Sequence, residues 1–189
     1  SFDFKKQLKS KFNVNANCIY NPLNKNEIIK KSQIESVKFF KDSKKLKILN
    51  VGRYVDQKDQ ITMLKALNLL SKKIDFEAIL LGRGILKKSL INFTKKNNID
   101  KKIKFINFSS NPFPLINQCD LFILSSKYEG LPNVLLEALT LKKFIISSNC
   151  PTGPREILLN GRGGLLFKVG DYVELEKKIL FYTNNQKKC

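Results

Sequence analysis

The 189-residue chain contains no histidine, no tryptophan, one methionine and six prolines. Histidine is the commonest metal ligand and the side chain that ordinarily titrates near neutral pH, so its absence removes both roles. The four cysteines, Cys18, Cys119, Cys150 and Cys189, include no C-x-x-C pair. A zinc site therefore has no usual ligand set, and the cysteines read as reduced thiols, three of them buried. Long apolar runs are also missing: Ala78–Leu81 and Leu121–Leu124 are far too short to cross a bilayer. Residues 1–6 lack the apolar stretch and cleavage site of a signal peptide, and the expectation is a cytoplasmic protein.

Acidic residues are scarce. Lys and Arg number 35 against 16 Asp and Glu, a formal net charge of +19. Such an excess favours polyanions or an anionic membrane surface. The lysines are spread through every segment, and pairs such as Lys72-Lys73, Lys87-Lys88 and Lys95-Lys96 fall on helix-like stretches. Solvated helix faces in a lysine-rich sequence are the favoured reading, with peripheral attachment at the inner face of a membrane as the alternative. Nucleic acid is disfavoured, because aromatic and basic residues are not interleaved as a stacking surface requires.

What is present is a rhythm. From Leu46 onward short apolar runs alternate with amphipathic stretches. Strands are expected at 46–51, 76–81, 103–106, 121–124, 144–147 and 164–167. Helices are expected at 60–71, 85–97, 112–117, 132–140, 154–159 and 173–182. Pro132 is expected in the first helical turn. The alternation implies an α/β fold: a Rossmann-like parallel sheet with helices on both faces. Ligands of such sheets bind beyond the carboxyl ends of the strands. Residues 1–45 stand outside the rhythm and read as a connector, with a turn at 20–24. Five phenylalanines there, Phe2, Phe4, Phe12, Phe39 and Phe40, have no evident place in the 46–189 domain.

Two post-strand loops carry chemistry. The first holds Gly52 and Arg53, with Lys58 five residues after Arg53. Two cations there can neutralise a diphosphate, although an ordinary surface loop has the same composition. The second runs Ser125-Ser126-Lys127-Tyr128-Glu129-Gly130-Leu131-Pro132-Asn133-Val134 and on to Glu137. Free amides around Gly130, Leu131, Pro132, Asn133 and Val134 at a helix start favour a phosphate or sugar hydroxyl. Glu129 and Glu137 are either ligand-facing carboxylates or a charge near the helix terminus and a solvated helix residue.

Glu129-Gly130-Leu131-Pro132 with Glu137 resembles the paired-glutamate motif of glycosyltransferase family 4, which has the GT-B fold. Asn50-Val51-Gly52-Arg53 with Lys58, Leu81-Gly82-Arg83-Gly84, Gly153-Pro154-Arg155-Glu156-Ile157 and Gly164-Leu165-Leu166 resemble further pieces of the family in the same order. The resemblance implies one half of a GT-B enzyme, binding a nucleoside diphosphate sugar. Arg53 and Lys58 would hold the diphosphate, Glu129 would serve the transferred sugar and Glu137 the ribose. Gly52 and the 130–134 amides would line the site, and Phe108 would lie near the base. It implies retention of anomeric configuration and no metal or other cofactor. Asp59 departs from the pattern, which has glycine there; its carboxylate is expected to weaken diphosphate binding or to point outward. Tyr20-Asn21-Pro22-Leu23-Asn24 resembles the family's passage between domains, so the N-terminal acceptor-binding domain is expected to be missing. The alternative is a non-catalytic nucleotide-sugar-binding module or a subunit of a split enzyme.

Overall fold

The computed structural model describes residues 1–34, 38–42 and 44–185. Six strands form one parallel sheet: β1 (Leu46–Val51), β2 (Phe76–Leu81), β3 (Ile103–Ile106), β4 (Leu121–Leu124), β5 (Phe144–Ser148) and β6 (Leu165–Phe167). Their spatial order is β3-β2-β1-β4-β5-β6. The apolar run Leu121-Phe122-Ile123-Leu124 of β4 is buried throughout, as in a sheet covered on both faces.

Helices α3 (Gln60–Leu70), α4 (Lys87–Lys96) and α8 (Tyr172–Asn184) cover one face. Helices α2 (Lys25–Ser32), α5 (Phe113–Gln118), α6 (Asn133–Thr140) and α7 (Pro154–Ile157) cover the other. The first core gathers Met63, Leu64, Leu67 and Leu70 against Ile48, Leu80 and Ile179. The second gathers Leu115, Ile116, Leu135 and Ala138 against Leu49, Phe122 and Ile145. The doubly wound architecture is the one the alternation implied.

Differences concentrate before Leu46 and at helix ends. Helix α1 (Phe2–Phe12) and α2 form within the stretch read as a connector. Asn24, read as part of a turn, caps α2 by accepting from the Glu27 amide at 3.1 Å. Phe40 is fully buried in the second core and Phe39 packs against it, so both have the place in the sheet domain that the sequence did not show. Phe2, Phe4 and Phe12 are exposed. Pro132 stands one position before its expected place, as the N-cap of α6. Cys119 and Cys150 are buried, Cys18 is half-buried, and Cys189 lies outside the described residues.

Backbone contact fixes the loops at the carboxyl end of the sheet. The amides of Gly52 and Gly82 donate to Leu81 and Ile106 carbonyls, both at 3.0 Å, extending the ladder past the strands. Tyr54 is fully buried, and its hydroxyl donates to the Leu80 carbonyl at 2.7 Å. A β-carbon at Gly82 would overlap the Gly52 carbonyl, whereas one at Gly130 would meet nothing within 4 Å. Gly82→Ala should therefore destabilise the fold by about 3 kcal/mol, the upper range for overpacking. Gly130→Ala should stay within about 0.5 kcal/mol of the parent. Urea unfolding of the two variants side by side checks this; equal midpoints would contradict the close approach.

Candidate functional site

In the strand order the winding reverses between β1 and β4. The loops after these two strands diverge from neighbours toward opposite faces, which opens a crevice above their junction. These are the two loops singled out in the sequence.

The first loop leaves β1 at Gly52, turns through a 3-10 segment at Asp56–Lys58 and enters α3. Gly52 lies against the Lys58 stem, since a β-carbon there would sit 3.7 Å from that side chain. The Arg53 carbonyl accepts from the Gln60 side chain at 2.9 Å. Its guanidinium is on an exposed residue and makes no ion pair among the described residues. Lys58 reaches across to the second loop, where its ammonium lies 2.6 Å from Oε1 of Glu129. Both side chains are largely buried, at 17% and 6% exposure. Exclusion of water strengthens this pair relative to a surface one.

Asp59 neither points outward nor faces the loop's cations. It is buried, adopts the left-handed conformation (φ 44°, ψ 46°) and accepts from the Thr62 hydroxyl at 2.7 Å. Burial pushes its carboxyl above the usual range, against the opposing hydrogen bonds from Thr62. A backbone in this region suits glycine, which explains why glycine serves at the equivalent place in the motif.

The second loop is tied down at several points. Ser126 donates to Oε1 of Glu129 at 2.6 Å, and the Thr152 hydroxyl donates to the Glu129 carbonyl. The Gln57 side chain donates to the Tyr128 carbonyl at 3.0 Å, and the Lys127 amide to the Gln57 carbonyl at 2.8 Å. Gly153, with φ +88°, lets the turn after β5 approach so closely that a β-carbon would lie 2.6 Å from the Gly130 carbonyl. Gly130 and Asn133 are exposed, Leu131 and Val134 half-buried, and Pro132 buried. Pro132 gives α6 no side-chain cap, which leaves the Asn133 and Val134 amides open to an oxygen ligand.

Glu137 lies one helical turn further along α6 and is half-buried. Its side chain has no hydrogen bond or ion pair among the described residues, and burial holds its carboxyl above the usual carboxylate range. Phe108 is 63% exposed and the Arg83 guanidinium lies over its ring at 5.2 Å. The structure thus joins Gly52, Lys58 and Glu129 directly. It places Arg53, Gly130 to Val134 and Glu137 on the loops and helix of the same junction, and Phe108 beyond the end of β3.

Sequence reasoning missed Ser126, Thr152 and Gln57, whose roles arise only from contacts across the junction. It also missed Asn21 and Tyr20. The Asn21 amide donates to Oδ1 of Asn133 at 3.0 Å, and the Tyr20 hydroxyl donates to Glu156. Glu156 also accepts from the Phe2 amide at 2.9 Å. Burial alone would raise its carboxyl, but these hydrogen bonds outweigh that and hold it below the usual range. Among the described residues no group of three His, Cys, Asp or Glu side chains could hold a metal ion.

Known proteins resemble this chain in sequence and in fold. The chain is 38% identical over 120 residues to an uncharacterised glycosyltransferase of Methanocaldococcus jannaschii, covering 63% of this chain and 29% of that protein. It is 32% identical over 122 residues to a Campylobacter jejuni N-acetylgalactosamine-N,N'-diacetylbacillosaminyl-diphospho-undecaprenol 4-alpha-N-acetylgalactosaminyltransferase, covering 65% and 33%. The matched stretch thus spans about a third of the length of these relatives. In fold, a glycosyltransferase from Rickettsia africae superposes with a TM-score of 0.75 at 19% identity, over 97% of this chain and 52% of that one. Anabaena HepE in complex with UDP superposes with a TM-score of 0.69 at 22% identity, over 76% and 40%. Residues 31–189 match the family model described as Glycosyl transferases group 1, and the chain belongs to that family of glycosyltransferases.

Proposed function

We propose that this chain is the donor-binding half of a retaining, family 4 type hexosyltransferase of the GT-B fold. The donor is a nucleoside diphosphate sugar, and the acceptor sits on an N-terminal domain outside this sequence. The observation that carries the reading is the Lys58–Glu129 contact of 2.6 Å at the sheet's switch point. It brings a phosphate-binding cation and a sugar-side acid from separate motifs to one place.

In glycosyl transfer the bond between the anomeric carbon and the leaving phosphate oxygen breaks. Negative charge gathers on the nucleoside diphosphate and positive charge on the anomeric carbon. Arg53 and Lys58 would neutralise the former; Glu129 would stabilise the latter and bind sugar hydroxyls. The Asn133 and Val134 amides would meet sugar or phosphate oxygens. Glu137 would accept from the ribose hydroxyls, and Phe108 would border the base. The cations take the part that a divalent metal plays elsewhere, so donor binding is metal-independent in this reading. Anabaena HepE structures hold UDP and UDP-glucose, and the Campylobacter jejuni relative is named for a diphospho-undecaprenol-linked saccharide. These support a UDP sugar as donor and a lipid-linked or cell-surface saccharide as acceptor. A stand-alone nucleotide-sugar-binding module, or a subunit of a split enzyme, is the second reading, motivated by the presence of both motif loops within this one chain.

Three measurements bear on this reading. Calorimetric titration with UDP should give the same affinity with and without chelator; strict dependence on added divalent metal would remove the roles of Arg53 and Lys58.

Glu129→Gln should tighten UDP binding by roughly fivefold, because a charged hydrogen bond is exchanged for a neutral one and Lys58 becomes free for phosphate. Weaker UDP binding in this variant would place the carboxylate on the nucleotide instead.

Glu137→Gln should do the reverse and weaken UDP by roughly fivefold. Its effect on stability is opposite. Because burial raises the Glu137 carboxyl, the stability associated with its neutral form is complete below the ordinary glutamate pKa of about 4.3. It is lost as pH rises through the folded-state value. The ligand-free Glu137→Gln protein should thus melt higher than the parent at pH 7 and lose that advantage at pH 4. A variant that neither gains stability nor loses UDP affinity would leave Glu137 outside the site.

A further inference from the structure

One stretch of the chain concentrates positive charge. Between Arg83 and Lys104 the chain carries eight cations, Arg83, Lys87, Lys88, Lys95, Lys96, Lys101, Lys102 and Lys104, and a single acid, Asp100. These residues make the loop after β2, helix α4, the 3-10 turn Asp100–Lys102 and β3. β3 is an edge strand, paired only with β2. The segments therefore lie together at one lateral edge of the sheet.

Most of that charge is free. Lys88, Lys95, Lys96, Lys101 and Lys104 are on exposed residues. Of the eight cations only Lys102 enters an ion pair among the described residues, with Asp75 at 2.5 Å. By contrast α2, on the opposite face, pairs Lys31 with Glu27 at 2.6 Å.

The same edge also offers apolar surface. Ile85 is 88% exposed at the start of this band. Beside it a groove of about 430 Å³ between α3 and α4 is lined by Ile61, Leu86, Leu90, Phe93 and Lys96. Asp56 and Asp59 also line it, but Asp56 is paired with Lys127 and Asp59 is buried against Thr62. Phe108 is the exposed aromatic that follows the band, and its ring is already covered by Arg83 at 5.2 Å. Unpaired lysines flanking an exposed aliphatic side chain and an apolar groove match a surface that has anionic headgroups above a hydrocarbon layer. A nucleic acid would instead want open aromatic faces among the cations.

We propose that the α4–β3 edge is a docking surface for an anionic lipid bilayer. The lysines meet headgroup phosphates, and Ile85 with the α3/α4 groove meets the headgroup–acyl boundary. Because Ile85 follows β2 at the carboxyl end of the sheet, docking would bring the crevice above β1 and β4 close to the lipid–water interface. The inference concerns a surface outside that crevice and does not depend on the donor-binding reading.

The experiment compares sedimentation of the full chain with vesicles of phosphatidylcholine alone and of phosphatidylcholine mixed with phosphatidylglycerol, at low and high salt. Two variants of equal net charge are run beside the parent. One carries Lys88→Gln, Lys95→Gln and Lys96→Gln on α4. The other carries Lys25→Gln, Lys30→Gln and Lys41→Gln, all exposed and on or after α2. The parent should bind only the mixed vesicles, and salt should release it. The α4 variant should lose roughly 100-fold in partitioning, the expected effect of three lysines near an anionic surface. The α2 variant should stay within a few-fold of the parent. Thermal melts confirm that both variants remain folded, and UDP titration of the same samples reports the crevice separately. Equal losses in the two variants would overturn the proposal in favour of diffuse charge. Equal binding to both vesicle types would overturn it as well. So would a single-stranded oligonucleotide that binds the parent more tightly than mixed vesicles and is lost in the α4 variant.

Discussion

The adjacency of β1 and β4 governs the rest of the molecule. Ile48 pairs with Leu121 and Leu49 with Phe122, although two strands and three α-helices intervene in the chain. Winding reverses there, so α3 leaves β1 toward one face and α6 leaves β4 toward the other. The crevice exists because no helix crosses that junction. Asn50 fastens it from below, its buried amide donating to the Ile123 carbonyl at 2.8 Å. Gly82 and Gly153 are required above it because backbones approach there more closely than a side chain permits.

Charge in the crevice is divided unequally. Lys58 and Glu129 neutralise one another and are further held by Ser126. Among the described residues Arg53 is left without an acid and Glu137 without a cation. The crevice is thus satisfied in part, with partial burial disfavouring the charged form of the unpaired Glu137 carboxyl. Nearby carboxylates that might have competed for the cations are sequestered: Asp59 is turned inward to Thr62, and Asp56 is held by Lys127 at 2.6 Å.

Much of this was legible in the chain. Apolar runs punctuated by Gly52, Gly82 and Pro132 located the strands and the loops that follow them, because a sheet buried on both faces needs such runs. The Glu129–Glu137 spacing and the Arg53–Lys58 spacing were visible as patterns. What could not be read was contact. Lys58 and Glu129 are 71 residues apart, and nothing local to either says that they meet. Helix α1 carries Phe4, Leu8 and Phe12 at helical spacing but buries none of its residues, so it has no place in the core that the strand–helix rhythm describes. Helix α2 buries only Ile28 and Ser32, too few to form a period. Phe40 looked stranded because its core partners, such as Phe122, belong to strands far along the chain. Asp59 looked like a departure from the motif, and nothing local says that it would be buried in a left-handed conformation and turned to Thr62. The basic edge stands in the sequence as one run from Arg83 to Lys104 with a single acid, but only the strand order places that run at a lateral edge of the sheet.

The pairing of β1 with β4 has a consequence for how the molecule comes into being. β1, β2 and β3 are neighbours in both sequence and space and can assemble as the chain lengthens. The Lys47 amide must wait for Asp120, and Asn50 for Ile123, each 73 positions later. Until β4 arrives, one edge of β1 is an open, apolar strand edge, the kind that recruits foreign strands. During synthesis the half-built sheet is therefore exposed along the line that later becomes the floor of the crevice. Closing that edge and creating the crevice are one event.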